Sequence, residues 1–293
     1  MHRGLLTFLK LVPKNALSRI VGGFLRGPWP RSVHRAIVRW FVRRYGVAVE
    51  ESEHPPEHYE TFNAFFTRRL RPGARPVAGG EVLVSPCDGR LGQSGRIEDG
   101  RALQAKGRPY SVAQLLGDDG LAQTFAGGSY LTLYLAPSDY HRVHAPVDGR
   151  IREARHIPGT LWPVNPPAVE SIEDLFAVNE RVVTVIDSAY GQVAVVMVGA
   201  TCVGRIRMRY DEIVSNAGTK HGHRIYDPPI PIERGQELGV FEMGSTVVLL
   251  LEAGVFEATA LETGRTVRMG EALGPLRPPL HRGDGVGRAV GVR

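Results

Sequence analysis

A Gly-Ser-Thr turn stands directly before an apolar run in the last quarter of the chain. Ser245 follows Gly244, and residues 247–251 read Val-Val-Leu-Leu-Leu, which predicts a buried strand. The Ser245 hydroxyl can attack the Gly244 carbonyl and exchange the amide for an ester, and glycine leaves that carbonyl open to approach. Elimination from the ester would convert Ser245 into dehydroalanine and then into a pyruvoyl group, a ketone made from the chain. By itself the tripeptide is common, and it also fits a plain turn that enters a strand.

A serine nucleophile needs a base, and a carboxylate that orients the base. Asp88 lies in Ser-Pro-Cys-Asp-Gly-Arg (85–90), and His141 and His144 lie in Asp-Tyr-His-Arg-Val-His (139–144). These segments contain the parts of a Ser/His/Asp arrangement. Each also has an ordinary interpretation, because Asp-Gly is a common turn and the histidines fit polar positions at a strand end.

Other cofactor chemistries have weaker support in the sequence. The pair His141 and His144 and the pair His221 and His223 lack cysteines or carboxylates at ligand spacing, so we predict no metal site. A pyridoxal enzyme needs a lysine for its cofactor, and the only lysines stand at positions 10, 14, 106 and 220. The chain also has no recognisable phosphate-binding loop. A ketone made from the chain is the simpler prediction.

Six segments strengthen the self-processing interpretation because they occur in a fixed order. They are Pro-Cys-Asp-Gly (86–89), Ala-Lys-Gly-Arg-Pro-Tyr-Ser (105–111), Asp-Tyr-His-Arg-Val-His (139–144), Leu-Phe-Ala-Val-Asn-Glu-Arg (175–181), Val-Gly-Ala-Thr-Cys-Val-Gly (198–204) and Met-Gly-Ser-Thr (243–246). Together they resemble the phosphatidylserine decarboxylase family of the bacterial, membrane-associated, pyruvoyl-dependent type, over about residues 60–270. The commonest processing motif of that family has leucine where Met243 stands, a nearly volume-conserving difference.

The resemblance implies a role for each candidate residue. Asp88 would orient His144, and His144 would take the proton of Ser245 during cleavage at Gly244–Ser245. Cleavage would leave a β chain of residues 1–244 and an α chain of residues 245–293, paired as a heterodimer with room for further dimerisation. The pyruvoyl group would decarboxylate phosphatidylserine to phosphatidylethanolamine through a Schiff base. His141 would handle the substrate phosphate or a proton during turnover.

Charge is divided unevenly along the chain. Of 36 basic and 30 acidic residues, ten basic residues and no acidic ones fall in the first 49 positions. Residues 50–293 therefore carry 26 basic and 30 acidic residues, so all the net positive charge lies in the N-terminal sixth. Such a segment predicts contact with an anionic phospholipid membrane. Its apolar stripe and the lack of a nucleic-acid-binding motif argue against nucleic acid.

The basic segment also has helical periodicity. One apolar stripe is followed by a second pattern over residues 33–45, in which three arginines recur every fourth position; the first stripe comprises Leu17, Ile20, Val21, Phe24 and Leu25. No apolar run approaches the roughly 18 residues that span a bilayer. We therefore predict two helices that lie on the cytoplasmic face of the cytoplasmic membrane as a peripheral attachment. The alternative is that they pack on the core or on a second subunit.

The remaining sequence predicts a β-rich domain, so the fold class is α+β. A helix is predicted over residues 57–71, and after it come short β-branched runs that favour packed antiparallel sheets or a partly closed barrel. Residues 181–187 and 192–198 predict a hairpin. Pro-Cys-Asp-Gly-Arg (86–90) and Pro-Val-Asp-Gly-Arg (146–150) echo each other and suggest equivalent turns. The predicted divisions are 1–49 for the basic helices, 50–274 for the catalytic domain and 275–293 for a disordered tail.

Two other functions remain open at this point. Ser245, His144 and Asp88 can also serve a serine hydrolase that never cleaves itself. That enzyme class uses Gly-x-Ser-x-Gly, whereas Met243 and Val247 stand at the glycine positions here. The chain can also be an uncleaved, membrane-binding β domain with no catalytic activity.

Overall fold

The structure, a computed structural model, describes residues 14–105, 108–201, 205–218, 221–242, 246–258 and 261–278. The predicted cleavage bond Gly244–Ser245 and residues 279–293 of the predicted tail lie outside the described residues. The helices are α1 (Lys14–Arg26), α2 (Arg31–Tyr45), α3 (Phe62–Phe66), α4 (Val112–Leu116), α5 (Asp119–Thr124), α6 (Pro166–Ser171) and α7 (Leu175–Val178), with 3₁₀ turns at Val49–Glu51 and Pro56–His58.

The two predicted N-terminal helices correspond to α1 and α2. Pro30 is the N-cap of α2, and Gly46 ends that helix in a left-handed conformation with its N–H bonded to the Val42 carbonyl. Val38 and Phe41 of α2 are buried against the phenylalanines of α3. One side of α2 therefore packs on the protein itself. Within the described residues, no helix is long and apolar enough to cross a membrane.

The predicted helix over residues 57–71 is wrong in its extent. The segment forms only the 3₁₀ turn Pro56–His58 and the five-residue helix α3. Thr61 has an extended backbone, and its hydroxyl accepts a hydrogen bond from the N–H of Ala64 at 3.1 Å, so a new helix begins there. The phenylalanines that suggested one long helix are buried in a compact aromatic cluster instead.

The rest of the chain is a β-rich core of antiparallel sheets, as predicted for an α+β protein. The described strands are β1 (Val82–Val84), β2 (Gly89–Arg96), β3 (Arg101–Ala105), β4 (Arg108–Ser111), β5 (Ser129–Tyr134), β6 (Arg142–His144), β7 (Gly149–Ile157), β8 (Arg181–Ser188), β9 (Gly191–Val198), β10 (Ile206–Met208), β11 (His223–Ile232), β12 (Glu237–Phe241), β13 (Thr246–Leu251), β14 (Thr266–Val267) and β15 (Ala272–Pro275). The largest sheet has eight strands in the order β11-β7-β8-β9-β13-β5-β2-β14.

The apolar run after the Gly-Ser-Thr turn forms strand β13 in the interior of the large sheet. All six of its residues are buried between β5 and β9, which agrees with a run that is apolar on both faces. Strands β8 and β9 form the predicted hairpin. A smaller sheet of order β10-β12-β6 holds the strand that ends at His144. Strand β12 ends at Phe241 and β13 begins at Thr246, so the two sheets flank the predicted cleavage segment.

The echo between residues 86–90 and 146–150 corresponds to two equivalent turns. Each follows a short strand and leads into a long one, β1 into β2 and β6 into β7. The N–H of Val84 donates to the Pro146 carbonyl at 3.1 Å, and the N–H of His144 donates to the Pro86 carbonyl at 2.8 Å. This exchange holds the turn that carries Asp88 against the strand that carries His144.

The aspartates of the two turns make the same backbone contact. Asp88 accepts a hydrogen bond from the N–H of Met269, and Asp148 accepts one from the N–H of Arg234, each at 2.8 Å. Gly235, which follows the second donor, has φ 82° and is therefore in the left-handed region that glycine adopts without strain. Its conformation matters below, because the Gly235 carbonyl faces His144.

Candidate active site

His144 is held at both ring nitrogens. Its Nδ1 lies 2.7 Å from the Gly235 carbonyl oxygen, and its Nε2 lies 3.1 Å from the Tyr140 hydroxyl. A carbonyl only accepts hydrogen bonds, so Nδ1 carries the proton and, in the neutral ring, Nε2 carries the lone pair. Burial is the main cause that lowers the pKa of His144. The ring is therefore a neutral base at Nε2, with the Tyr140 hydroxyl donating to it.

A glycine is needed where the chain presents this carbonyl. A Cβ on Gly235 would lie 2.6 Å from a methyl group of Val77, and its φ of 82° disfavours other residues. Nothing in the sequence marked Gly235 as a site residue, because the contact is made by a backbone oxygen that every residue type carries. In this structure that oxygen holds the imidazole in its tautomer, the task that the resemblance gives to Asp88.

Asp88 is instead bound to a buried arginine. Arg75 Nε lies 2.8 Å from Asp88 Oδ1, and Arg75 Nη2 lies 2.6 Å from Oδ2, while the N–H of Met269 donates to Oδ1. Arg75 Nη2 also contacts Glu51 at 2.7 Å. This is a two-pronged guanidinium–carboxylate pair, the strongest form of such a contact. No hydrogen bond joins Asp88 to His144, both of which lie in the described part of the chain.

Two adjoining clefts nevertheless bring the two residues into one region. A cavity of about 170 Å³ is lined by Asp88 and a neighbouring cleft of about 220 Å³ by His144, and both include Arg75 and Tyr140 in their walls. Asp88 and His144 therefore lie on either side of a shared wall. The predicted carboxylate and base thus line two neighbouring clefts that have Arg75 and Tyr140 in common.

His141 has the most unusual surroundings of the predicted residues. It is completely buried, with its ring centroid 4.0 Å from that of Phe66, and neither ring nitrogen has a hydrogen-bond partner among the described residues. Burial, with the positive charge of Arg68 nearby, lowers the pKa of His141 to about 3. The ring is neutral at physiological pH. Buried polar atoms are rarely left unpaired, so these two nitrogens are unusual for an apolar surrounding.

His141 and His144 pair with opposite ends of β12. The N–H of Phe241 donates to the His141 carbonyl at 3.0 Å, whereas His144 pairs with Glu237 at the other end of β12. In the sequence only Glu242 separates Phe241 from the Met-Gly-Ser segment. Beyond that segment, Thr246 is fully buried with its hydroxyl unpaired among the described residues.

Arg68 is a site residue that sequence reasoning missed. Its side chain is only 3% exposed and lies over the Phe65 ring, and its Nη2 donates to the Ser138 carbonyl at 3.0 Å. Nε and Nη1 have no hydrogen-bond partner among the described residues. Burial lowers the pKa of Arg68. It lines the cavity of Asp88, and a buried guanidinium of this kind is suited to an anionic group. In the sequence, the one feature that could have pointed to Arg68 is its place in an Arg-Arg pair that follows three phenylalanines.

The segment Leu-Phe-Ala-Val-Asn-Glu-Arg (175–181) supports loops rather than contributing a reactive group. Asn179 is buried, and its amide bonds the N–H and carbonyl of Trp162 at 2.9 Å each and the Gly199 carbonyl at 2.8 Å. Gly199 follows strand β9, next to the start of β13. Asn179 thus connects the tryptophan loop to the wall beside the predicted cleavage segment.

The described part of the chain contains no cluster of side chains that could bind a metal ion. No set of three or more His, Cys, Asp or Glu side chains there is arranged to hold a metal ion. Cys87 is a free, buried thiol, and burial raises its pKa well above the usual range, which keeps it protonated.

Comparisons with known proteins agree with the six sequence segments. A sequence model described as phosphatidylserine decarboxylase matches residues 62–275. A protein named phosphatidylserine decarboxylase proenzyme from Myxococcus xanthus is 50% identical over 275 residues, which covers 92% of this chain and 98% of that protein. Proteins of the same name from Anaeromyxobacter sp. and Vibrio parahaemolyticus are 51% and 42% identical, covering 91% and 88% of this chain and 96% and 94% of their own lengths.

Proposed function

Because the chain belongs to the phosphatidylserine decarboxylase family, a family of lyases, we propose that it is a proenzyme that cleaves itself at Gly244–Ser245. The observation that carries the proposal is the state of His144. A neutral, buried imidazole with its proton held on Nδ1 by the Gly235 carbonyl presents Nε2 as a base. It lies in a cleft that adjoins the Asp88 cavity.

The proposed cleavage proceeds in three balanced steps. His144 Nε2 accepts the Ser245 hydroxyl proton while Oγ attacks the Gly244 carbonyl carbon, and the proton then passes to the departing amine as the amide becomes an ester. A base then takes the Cα proton of residue 245, and the Cβ–Oγ bond breaks with its electron pair on oxygen, which leaves a carboxylate on Gly244 and dehydroalanine at position 245. Water then replaces the amine nitrogen, which leaves as ammonia, and a pyruvoyl group remains on the α chain.

The residues next to this position suit a pyruvoyl group. His141 and Thr246 are fully buried and have polar atoms without partners among the described residues, one on each side of the cleavage segment. Such atoms suit a group with a carbonyl and a bound polar substrate better than they suit an apolar core. A pyruvoyl group supplies an electron-accepting ketone for loss of carbon dioxide from an amino acid.

His141 is then the proposed residue for handling a proton or the phosphate of phosphatidylserine during turnover. Burial lowers the pKa of His141 to about 3, so the imidazole is neutral, and its ring N–H can donate and its other ring nitrogen accept a hydrogen bond with the substrate. The surrounding phenylalanines exclude water from it. A hydrogen bond to the phosphate would therefore be shielded from solvent.

The exposed face of α1 supports peripheral attachment to a membrane at the cytoplasmic face. Ile20 is 71% exposed and Phe24 is 49% exposed, whereas Lys14 and Ser18 of the same helix are buried. Asn15 Nδ2 donates to the Gly159 carbonyl at 2.9 Å, and Lys14 Nζ lies 3.8 Å from the centroid of the Trp162 ring. Arg19 is exposed as well, so the outer face of the helix combines apolar and basic side chains, which suits an anionic lipid surface.

Helix α2 adds charge to the same attachment. Trp40 is exposed among Arg39, Arg43 and Arg44, which surround a shallow groove of about 590 Å³. Tryptophan and arginine favour the headgroup layer of an anionic membrane, where each basic residue contributes about 1 kcal/mol. The proposed membrane contact therefore uses the outer face of α2, while its inner face packs on α3.

A denaturing gel of purified protein tests the central proposal. The wild type should split into fragments of residues 1–244 and 245–293, and mass spectrometry should find a pyruvoyl group on the smaller one. Ser245→Ala should remain one chain. A serine hydrolase or an uncleaved β domain would leave the wild type intact, so a single catalytically competent chain with unmodified Ser245 would overturn the proposal.

The two histidines are separated by a second comparison on the same gel. His144→Ala should accumulate uncleaved precursor, because Ser245 then lacks its base. His141→Ala should cleave but lose decarboxylation of phosphatidylserine. His58→Ala, at an exposed position in the 3₁₀ turn, is the control and should leave both steps unchanged. If instead His141→Ala blocks cleavage and His144→Ala permits it, the proposed roles are reversed.

A further inference from the structure

The buried carboxylate of Glu242 is the focus of three arginines. Arg207 Nη2 lies 2.5 Å from Glu242 Oε1, while Arg26 Nη1 and Arg205 Nε each lie 3.4 Å from Oε2. In the described part of the chain, every ion pair of these arginines goes to Glu242. One carboxylate therefore faces three guanidinium groups. The cluster carries an excess of two positive charges.

The strand pairing fixes this arrangement. Strand β10 is antiparallel to β12 with Ile206 opposite Phe241, and the N–H of Glu242 donates to the Arg205 carbonyl at 2.8 Å. Arg205 and Arg207 are two residues apart, so they share one face of the strand, and Glu242 shares that face across the ladder. Arg26 reaches the same point from the last turn of α1.

The excess charge is directed outward. The Glu242 side chain is 3% exposed, whereas those of Arg26, Arg205 and Arg207 are 35%, 32% and 53% exposed. The buried carboxylate holds the guanidinium groups together from below, and their outer N–H groups remain open to a second anion. Guanidinium groups bind phosphate oxygens with two parallel N–H bonds, which makes such a cluster a fitting phosphate site.

The cluster also lies between the two functional parts of the molecule. Glu242 precedes Ser245 by three residues, so it is within about 10 Å of that residue even in an extended chain. Arg26 belongs to the helix whose exposed face includes Ile20 and Phe24. The cluster therefore connects the helix that is proposed to contact the membrane with the residue that begins the approach to the cleavage segment.

We propose that Arg26, Arg205 and Arg207 bind the phosphodiester of the phosphatidylserine headgroup while its amino group reaches position 245. This inference rests on the proposed function, since it assumes that position 245 is the reaction centre. The phosphodiester carries a negative charge and is separated from the amine by only two carbons and an oxygen. A cationic site close to residue 245 is therefore in reach of it, and it would select phosphorylated headgroups over free serine.

The kinetic test uses the self-processed enzyme and phosphatidylserine in micelles of an uncharged detergent. Arg205→Gln combined with Arg207→Gln should raise KM by roughly ten- to a hundredfold, because charge-assisted contacts to phosphate are lost. The kcat value should change little, because neither residue reaches the reacting bond. Arg101→Gln, an exposed charge change on β3, is the matched control and should leave KM unaltered. An unaltered KM in the double variant overturns the proposal, as does an equal rise in the control.

A binding test separates this proposal from the proposed function. Glycerophosphoserine, the headgroup without acyl chains, is titrated calorimetrically into the uncleaved Ser245→Ala protein, with inorganic phosphate as the second probe. Both should bind, and the double variant should weaken both by at least about tenfold. Weakening of binding to anionic vesicles alone would mean that the arginines attract a membrane surface, and it would overturn the phosphate site. If the wild type binds glycerophosphoserine but never cleaves itself, the proposed function is refuted while the anion site is supported.

Glu242→Gln keeps the test decisive if the double variant fails to fold. This change removes the anion that competes for the three guanidinium groups. It should lower KM for micellar phosphatidylserine and tighten glycerophosphoserine binding. A rise in KM with weaker binding, or a lack of effect on both, would overturn the proposed site.

Discussion

Replacing Asp88 with asparagine should destabilise the protein even when cleavage is already blocked. The variant is made in the Ser245→Ala background, so that the full-length chain is compared with the full-length chain. Asparagine keeps the shape of the side chain and can still accept the N–H of Met269. It removes the negative charge that Arg75 contacts at 2.6 and 2.8 Å.

The size of the effect follows from burial and from the partner that remains. Breaking a buried ion pair costs about 3–5 kcal/mol, because the remaining charge is left without compensation. Arg75 would keep Glu51 at 2.7 Å, a partner that is partly exposed. We therefore expect the free energy of unfolding to decrease by about 2–3 kcal/mol, which is closer to the contribution of a hydrogen bond to a charged group. For a chain of this size that corresponds to a decrease in Tm of roughly 4–12 °C.

Thermal unfolding in an uncharged detergent measures the change. Glu271→Gln is the matched control, since it removes a carboxylate from the exposed ion pair with Arg265, where a change below about 1 kcal/mol is expected. If Asp88 served only to orient His144, the Asp88→Asn protein would unfold at the parental temperature. A Tm within the range of the control would refute the assignment of Asp88 as the anchor of Arg75.

Three other predictions follow from the same contacts. The first concerns pH: the base must be neutral, and burial lowers the pKa of His144 below 6.5, the usual value for histidine. The cleavage rate, measured on gels over a series of pH values, should therefore stay constant down to a pH below 6.5 and fall only in more acid solution. A rate that already falls above pH 6.5 would contradict this. In thermal unfolding, Gly89→Ala should destabilise the protein by more than about 2 kcal/mol, since the new Cβ would lie 2.5 Å from the backbone oxygen of Tyr134 in β5. Gly95→Ala should be tolerated, because the atom nearest to its Cβ, the Tyr130 hydroxyl oxygen, would be 3.4 Å away. Ile20→Ser with Phe24→Ser should weaken sedimentation with anionic vesicles without changing Tm, and undiminished sedimentation would refute the membrane role of α1.

The sequence determined the parts of this protein that depend on neighbouring residues. The apolar run after Gly-Ser-Thr predicted the buried strand β13, and the pattern over residues 181–198 predicted the β8–β9 hairpin. The two basic helices were predicted within a few residues of their observed bounds. Periodicity of this kind is local, because a strand or helix exposes and buries residues at a fixed interval. The candidate serine, histidines and aspartate were also visible in the sequence, because they lie in short segments that can be read without the fold.

Only the tertiary structure decided which of these residues meet. Asp88 pairs with Arg75, and the Nδ1 proton of His144 goes to the carbonyl of Gly235, although the sequence had suggested that Asp88 and His144 contact each other. A backbone carbonyl has no signature in a sequence, since every residue carries one, and the partner of a carboxylate depends on strands that are far apart in the chain. The burial of Arg68 was equally hidden, because burial of a charged side chain depends on what packs over it. Pairing between distant strands therefore determined the site, whereas local pattern determined the elements from which it is built.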